Sequence, residues 1–355
     1  MSDVAIIGAG MAGASLAAAL SGAADVLLLE AESQPGYHST GRSAAFWSES
    51  YGGPLIRPLT SASRAFLTGH GLLNPRGAIH LADAAGRPKL DALRTEFPDV
   101  PMHPLDRAAL ETVIPGLRPG LDHALAEPSC ADIDVAGLHA LYLGQARKAG
   151  ARLVTDARLL KAGREGGRWR IETTAGVFQA DLLVDAAGAW ADEVARSCGE
   201  RPLGIIPHRR TIAQLRVTPP APADLPLVID AAERFYFKPE PGGRLWLSPH
   251  DETPSPPCDC APEEIDVALA IDRFEQVVDW RVEAVERKWA GLRSFAPDRL
   301  PVYGFGAGGD GFFWFAGQGG FGIQTAPAAA ELGAALLLGR VPALDPALYS
   351  PLRFA

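Results

Sequence analysis

Arg210 and Arg293 each stand in a run that otherwise reads as apolar strand, where a guanidinium is costly unless an anion pairs with it. A small-molecule carboxylate would be such an anion; for either arginine alone, a structural salt bridge is the other reading. A second group of residues points to phosphate chemistry. Gly8-Ala9-Gly10-Met11-Ala12-Gly13 is a G-x-G-x-x-G turn, and an acid, Glu30, follows it. Gly8 allows the sharp turn, Gly10 lets the backbone approach a pyrophosphate, and Gly13 lets a helix pack on a strand. The helix N-terminus then offers N–H groups and a positive dipole end to phosphates, while Glu30 accepts from ribose hydroxyls.

The elements that would position these residues follow from the apolar pattern. Val4 to Gly8 reads as a buried strand, Met11 to Leu20 as an Ala-rich helix, and Val26 to Leu29 as a second strand ending at Glu30. That βαβ context raises the glycine turn from a plain close-packed corner to a dinucleotide site. A polar loop from Gln34 to Ala45 is too long for an ordinary connection, and its hydroxyls and Arg42 could meet phosphate or ring oxygens. Arg152 to Val184 alternates around two turn signals and reads as a β-meander running into a turn at Gly188. Thr211 to Val217, Phe235 to Lys238 and Leu245 to Ser248 read as antiparallel strands, and Glu263 to Trp280 as a helix. The last third closes with a buried strand, Phe312 to Ala316, a Gly-rich turn from Gly317 to Gly322, and a helix whose first turn holds Pro327. This places a second helix N-terminus at the strand ends, suited to the negative charge of a reduced flavin, and favours FAD over NAD.

These runs resemble the FAD-dependent D-amino acid oxidase and dehydrogenase superfamily, with glycine and sarcosine oxidases, and most of all its bacterial D-arginine dehydrogenases. The likeness rests on Gly8 to Gly13, Gly36 to Ala45, His208-Arg209-Arg210, Trp289 to Phe295 and Gln318 to Thr325. It implies an α/β fold: a Rossmann-like FAD-binding domain over residues 1–75, 129–205 and 296–355, and an α+β substrate domain with an antiparallel sheet over 76–128 and 206–295. FAD would be held by Gly8, Gly10, Gly13, Glu30, Ser39, Thr40, Arg42, Ser43, Ala44, Gly188, Gly319, Gly320, Gly322, Ile323, Gln324 and Thr325. The resemblance also implies that Arg210 and Arg293, with Tyr51 and Tyr236, clamp a substrate carboxylate while Gly320 and Gln324 line the flavin side. The implied reaction carries hydride from the Cα of an amino acid to flavin N5, and water then releases a 2-oxo acid and ammonia. Oxygen and a quinone-type compound stay open as electron acceptors, and N-alkyl amino acids or 2-hydroxy acids as alternative substrates, as does a flavin-binding subunit without its own turnover. Where the arginine enzymes carry a histidine and a pocket glutamate, this chain has Phe46 and Ala78. With Trp47, these residues imply a pocket for apolar or aromatic D-amino acids.

Composition agrees with a globular enzyme. The 355 residues are 47% hydrophobic and 21% charged, which excludes a disordered or fibrous chain. Lys and Arg number 33 against 42 Asp and Glu, a net charge of −9, so nothing in the charge favours nucleic acid or an anionic membrane surface. Val4 to Leu20 is broken by glycines and is not expected to span a membrane. The basic stretch that opens a signal peptide is missing at Met1, and the four cysteines are too irregularly placed for a disulfide framework, so a cytoplasmic location is expected. Cys258-x-Cys260 near His250 has no fourth ligand at useful spacing, and no metal is expected.

Overall fold

The structure, a computed structural model, describes residues 2–355. Its first layer starts with β1 (Ser2–Ile7), α1 (Met11–Ala19) and β2 (Val26–Leu29), the predicted βαβ unit. Both strands are buried almost along their whole length, as expected for parallel strands covered on both faces. In the same sheet, Gly176–Asp185 runs parallel to β1 and Phe312–Ala316 parallel to Gly176–Asp185, while Arg152–Val154 extends β2 on the other side. The strand ends Ile7 and Asp185 therefore come into line with Trp314, and the chain leaves the three strands through small-residue turns at Gly8, Ala186 and Gly317.

The predicted meander is seen as Leu159–Glu165, Arg168–Thr173 and Gly176–Asp185, paired antiparallel in succession. Arg152–Val154 stands apart from it, paired to β2. The helix expected from Glu263 to Trp280 is shorter, Glu264–Glu275. Beyond it the chain bends so that Trp280 can bury its ring and donate its indole N–H to the Pro115 carbonyl at 2.7 Å.

A second sheet of ten strands holds the long pair Ile206–Thr218 and Arg281–Phe295, followed by Arg244–Ser248, Tyr236–Glu240, Leu227–Asp230, Ala78–Ala82 and His123–Glu127. On the long pair His208 is opposite Arg293 and Arg210 opposite Gly291. Opposite residues share a face, and so do residues two apart in one strand. Arg210 and Arg293 thus lie on one face of adjacent strands, a diagonal step from each other. The edge of this sheet is Gln318–Gly319, paired to Phe295 and Ser294, and from it the chain enters the C-terminal helix Ala326–Leu337. The sheet and that helix thereby meet at the Gly-rich turn.

Candidate active site

One cavity runs from Glu30 and Arg158, past the first glycine turn, to Arg210, Tyr236 and Arg293. At its nucleotide end the local chemistry follows from backbone geometry. Gly8 has φ +100°, a conformation that L side chains rarely adopt, and a Cβ there would come within 2.6 Å of the Ala186 carbonyl oxygen. A Cβ on Gly13 would fall 1.9 Å from the Gly8 carbonyl oxygen, so this residue packs the helix onto the turn and does not itself line the cavity. Glu30 is buried; one carboxylate oxygen accepts from Ala9 N at 2.7 Å and the other from Glu32 N at 3.0 Å. Thr40 Oγ1 accepts from Met11 N at 2.9 Å and thus ties the long loop to the first turn of α1.

These residues fit FAD. The turn presents backbone where a side chain would block a pyrophosphate, and Glu30 sits at the end of the neighbouring strand with room to accept from a ribose. His38 lines the cavity with its buried Nδ1 without a partner among the described residues, while its Nε2 lies 3.0 Å from Glu32. Ser39, Ser43, Ala44, Gly188, Gly319, Gly322 and Ile323 line the same space. Two cofactor expectations need correction. Arg42 borders the cavity, but its guanidinium is bound to the Asp259 carboxylate and to the carbonyls of Cys260 and Ala290, so it fastens the loop and is not free for phosphate. Thr325 is buried away from the cavity, its hydroxyl donating to the Phe321 carbonyl at 2.8 Å.

At the other end stand Arg210, Arg293, Tyr51, Tyr236 and Phe46. Arg293 Nη2 donates to the Tyr51 hydroxyl at 3.0 Å, and its buried Nε has no partner among the described residues. Arg210 is buried, with Nε donating to the Asp251 carbonyl at 2.8 Å. Burial, and then the neighbouring Arg293 charge, pull its pKa below the usual guanidinium value, with the Glu252 carboxylate 3.6 Å from its Nη2. Burial pushes the Tyr236 phenol up, keeping it a hydrogen-bond donor. Phe46 packs between the two tyrosines, 5.0 Å from the Tyr51 ring and 6.4 Å from the Tyr236 ring. Gly320 leaves space for the clamp, since a Cβ there would lie 2.1 Å from Arg293 Nη2.

Gln324 borders the cavity, yet both ends of its amide are used by the protein. Nε2 donates to the Tyr51 carbonyl at 3.1 Å and to Thr60 Oγ1 at 3.0 Å, and Oε1 accepts from Ser48 N at 3.2 Å. It therefore holds the segment that carries Tyr51. Beneath that segment lies a network with no counterpart in the sequence reading. Glu127 is fully buried and accepts from Ser48 at 2.8 Å and Ser50 at 2.5 Å, with His80 Nε2 at 3.0 Å. Burial alone would raise this carboxyl; His80 and the two hydroxyls outweigh it and hold the group below its ordinary value. The only sign in the sequence is an acid ending the strand His-Ala-Leu-Ala-Glu.

Two substrate-pocket expectations also fail. Trp47 is fully buried in a cluster with Met11, Leu67 and Leu138, its indole N–H on the Thr60 carbonyl at 3.0 Å. It follows Phe46 in a strand, so the two rings must point to opposite faces, and Phe46 has the cavity. Ala78 is packed behind the cavity wall among Ala44, Cys130, Ile212 and Leu227.

Residues 3–336 match the family model described as DAO, FAD dependent oxidoreductase. The chain is 27% identical over 261 residues to a glycine oxidase of Pseudomonas putida, covering 71% of this chain and 68% of that protein. It is 30% identical over 267 residues to the mitochondrial dimethylglycine dehydrogenase of Homo sapiens, covering 69% of this chain but only 30% of that much longer protein. Among solved structures, glycine oxidase from Geobacillus kaustophilus superposes with a TM-score of 0.86 at 24% identity, covering 98% of both chains, a likeness of fold. The chain is a member of the DAO family of FAD-dependent oxidoreductases.

Proposed function

We propose that the protein oxidises a neutral α-amino acid, of D configuration where the α-carbon is chiral, to the imino acid that water converts to a 2-oxo acid and ammonia. The observation that carries this reading is the pair Arg210 and Arg293, two cations on one cavity wall, one of them with an unpartnered buried N–H. A substrate carboxylate would take that N–H and the free donors of Arg210, and a protonated Tyr236 would add a third direction of attachment. This fixes the α-carbon relative to the Gly319 to Gly322 turn. FAD bound in the cavity supplies the acceptor for the two electrons and hydrogen that leave Cα.

Phe46, Tyr51 and Ile212 form apolar surface around the clamp and suit an uncharged side chain, gaining about 0.8 kcal/mol per buried methylene. The lining acids, Glu30, Glu32 and Glu193, belong to the nucleotide end, and Glu252, behind the clamp, is already held by Arg293 and Arg299, so a guanidinium or ammonium side chain finds no free carboxylate on the wall there among the described residues. The motif-level resemblance to D-arginine dehydrogenases supports the D configuration, and the two curated relatives support glycine or N-methyl glycines as substrates of the same clamp. No carboxylate or imidazole lines the clamp end among the described residues, and in this reading the α-amino group reacts in its uncharged form. Turnover of D-alanine, D-methionine, D-phenylalanine, D-arginine, sarcosine and D-lactate, measured across pH, tests the proposal. D-methionine should exceed D-arginine, kcat/KM should rise towards the pKa of the amine, and D-lactate should be inert. Preference for D-arginine or for D-lactate would overturn it.

A further inference from the structure

Three guanidinium groups converge on one carboxylate beside the clamp. Glu252 Oε1 accepts from Arg293 Nη1 at 2.6 Å and from Arg299 Nη2 at 2.9 Å, Oε2 accepts from Arg299 Nη2 at 2.9 Å, and Arg210 Nη2 lies 3.6 Å from Oε1. Glu252 is not part of the cavity wall, whereas Arg210 and Arg293 are. Burial alone would raise its carboxyl, but Arg293, Arg299 and Arg210 outweigh this and hold it below the ordinary range, so it stays ionised.

The geometry has two consequences. A guanidinium presents its five N–H groups along fixed edges. With Nη1 taken by Glu252 and Nη2 touching the Tyr51 hydroxyl, the group cannot turn, and the edge formed by Nε and Nη2 remains. That edge carries the unpartnered Nε and abuts Gly320 on the cavity wall. The second consequence is charge balance. Three cations meet one internal anion, and Asp251 is occupied with the amide and hydroxyl of Thr211 at 2.7 and 2.9 Å. One substrate carboxylate lowers the excess of this cluster from +2 to +1; a second carboxylate that reached Arg293 Nη1 would find that donor already held by Glu252 and would be repelled at short range.

We infer that Glu252 is a positioning and specificity residue: it aims Arg293 at the substrate and restricts the clamp to a single carboxylate. The inference rests on the reading of Arg210 and Arg293 as the carboxylate clamp. Without Glu252, Arg293 Nη1 and Arg299 are left with free donors beside the cavity, and a dicarboxylate acquires partners that the parent denies it.

The test uses the FAD-loaded protein and follows the flavin absorbance during titration with butyrate and succinate, which differ by one carboxylate. In Glu252→Gln the amide oxygen still accepts from Arg293 Nη1, so butyrate affinity should hold within about threefold, while the succinate-to-butyrate affinity ratio rises about tenfold or more. In Glu252→Ala the ratio should rise and butyrate affinity also fall, because the fork is no longer held. An unchanged ratio in both variants would overturn the inference. A purely structural role would weaken both ligands alike and leave the ratio where it was. Arg293→Met separates this from a failure of the underlying reading: if that variant binds butyrate like the parent, the clamp itself is wrong.

Discussion

On the proposed reading the site is decided by two arginines, Arg210 and Arg293, that share one ionised partner, Glu252. Each arginine of the clamp offers a charge-assisted hydrogen bond to a carboxylate, about 1.5–3 kcal/mol. Arg210→Met and Arg293→Met should therefore each lower kcat/KM for a neutral amino acid by about one to two orders of magnitude, with flavin content unchanged; parent-like kinetics in both would remove the clamp from the account. His250 gives a second residue-scale expectation. Burial and the charges of Arg210 and Arg293 pull its pKa down to about 3, against about 6.5 in an unfolded chain. Between these values the unfolded state binds a proton that the native state does not. Stability should fall as pH drops from about 6.5 to about 3, by at most about 1.4 kcal/mol per pH unit from this residue. His250 also has φ +57°, which asparagine tolerates. Urea melts of parent and His250→Asn should diverge in that window, the variant losing less stability on acidification; parallel profiles would show that His250 is already charged or solvated in the native protein.

Two glycine turns organise the elements, and they should respond differently to one added methyl. At Gly13 the obstacle is backbone, the Gly8 carbonyl oxygen at 1.9 Å, so Gly13→Ala must push α1 off the turn and should yield protein that retains little FAD. At Gly320 the obstacle is the Arg293 guanidinium, at 2.1 to 2.5 Å, a side-chain end that can be displaced but is pinned by Glu252 and Tyr51. Gly320→Ala should therefore keep its flavin and its melting temperature within a few degrees while KM for the amino acid rises about tenfold or more. Equal flavin loss in both variants would contradict the separate roles. At this scale the sequence was most readable where the signal is local. β1, α1, β2 and Phe312–Ala316 follow from runs of apolar residues and glycine, and the two arginines from charges set in apolar strands. What the sequence could not show is which face of a strand meets which neighbour. Phe46 and Trp47 differ by one position and hence by a whole face, and Ala78 is placed by its partners Leu227 and Glu127 on strands far along the chain.

For the whole molecule, the site is an assembly of distant segments. Tyr51 is 242 residues from the Arg293 it touches, Glu252 41 residues from the same side chain, and Ser48 79 residues from Glu127. No spacing rule reaches across such separations, so Glu252 and the Glu127 network became visible only once the sheet brought them together. The nucleotide end, by contrast, was legible because its turn, helix and acid lie within the first 30 residues. The central claim joins the two ends of one cavity: flavin at the glycine turn, amino acid carboxylate on the paired arginines. Anaerobic mixing of the FAD-loaded protein with D-methionine, glycine or sarcosine, followed at the flavin absorption band, tests it most directly. The account predicts that at least one of these amino acids bleaches the flavin in the parent protein, and that Arg293→Met slows the bleaching strongly at equal flavin content. A flavin that no amino acid reduces, or one reduced equally fast without Arg293, would contradict it.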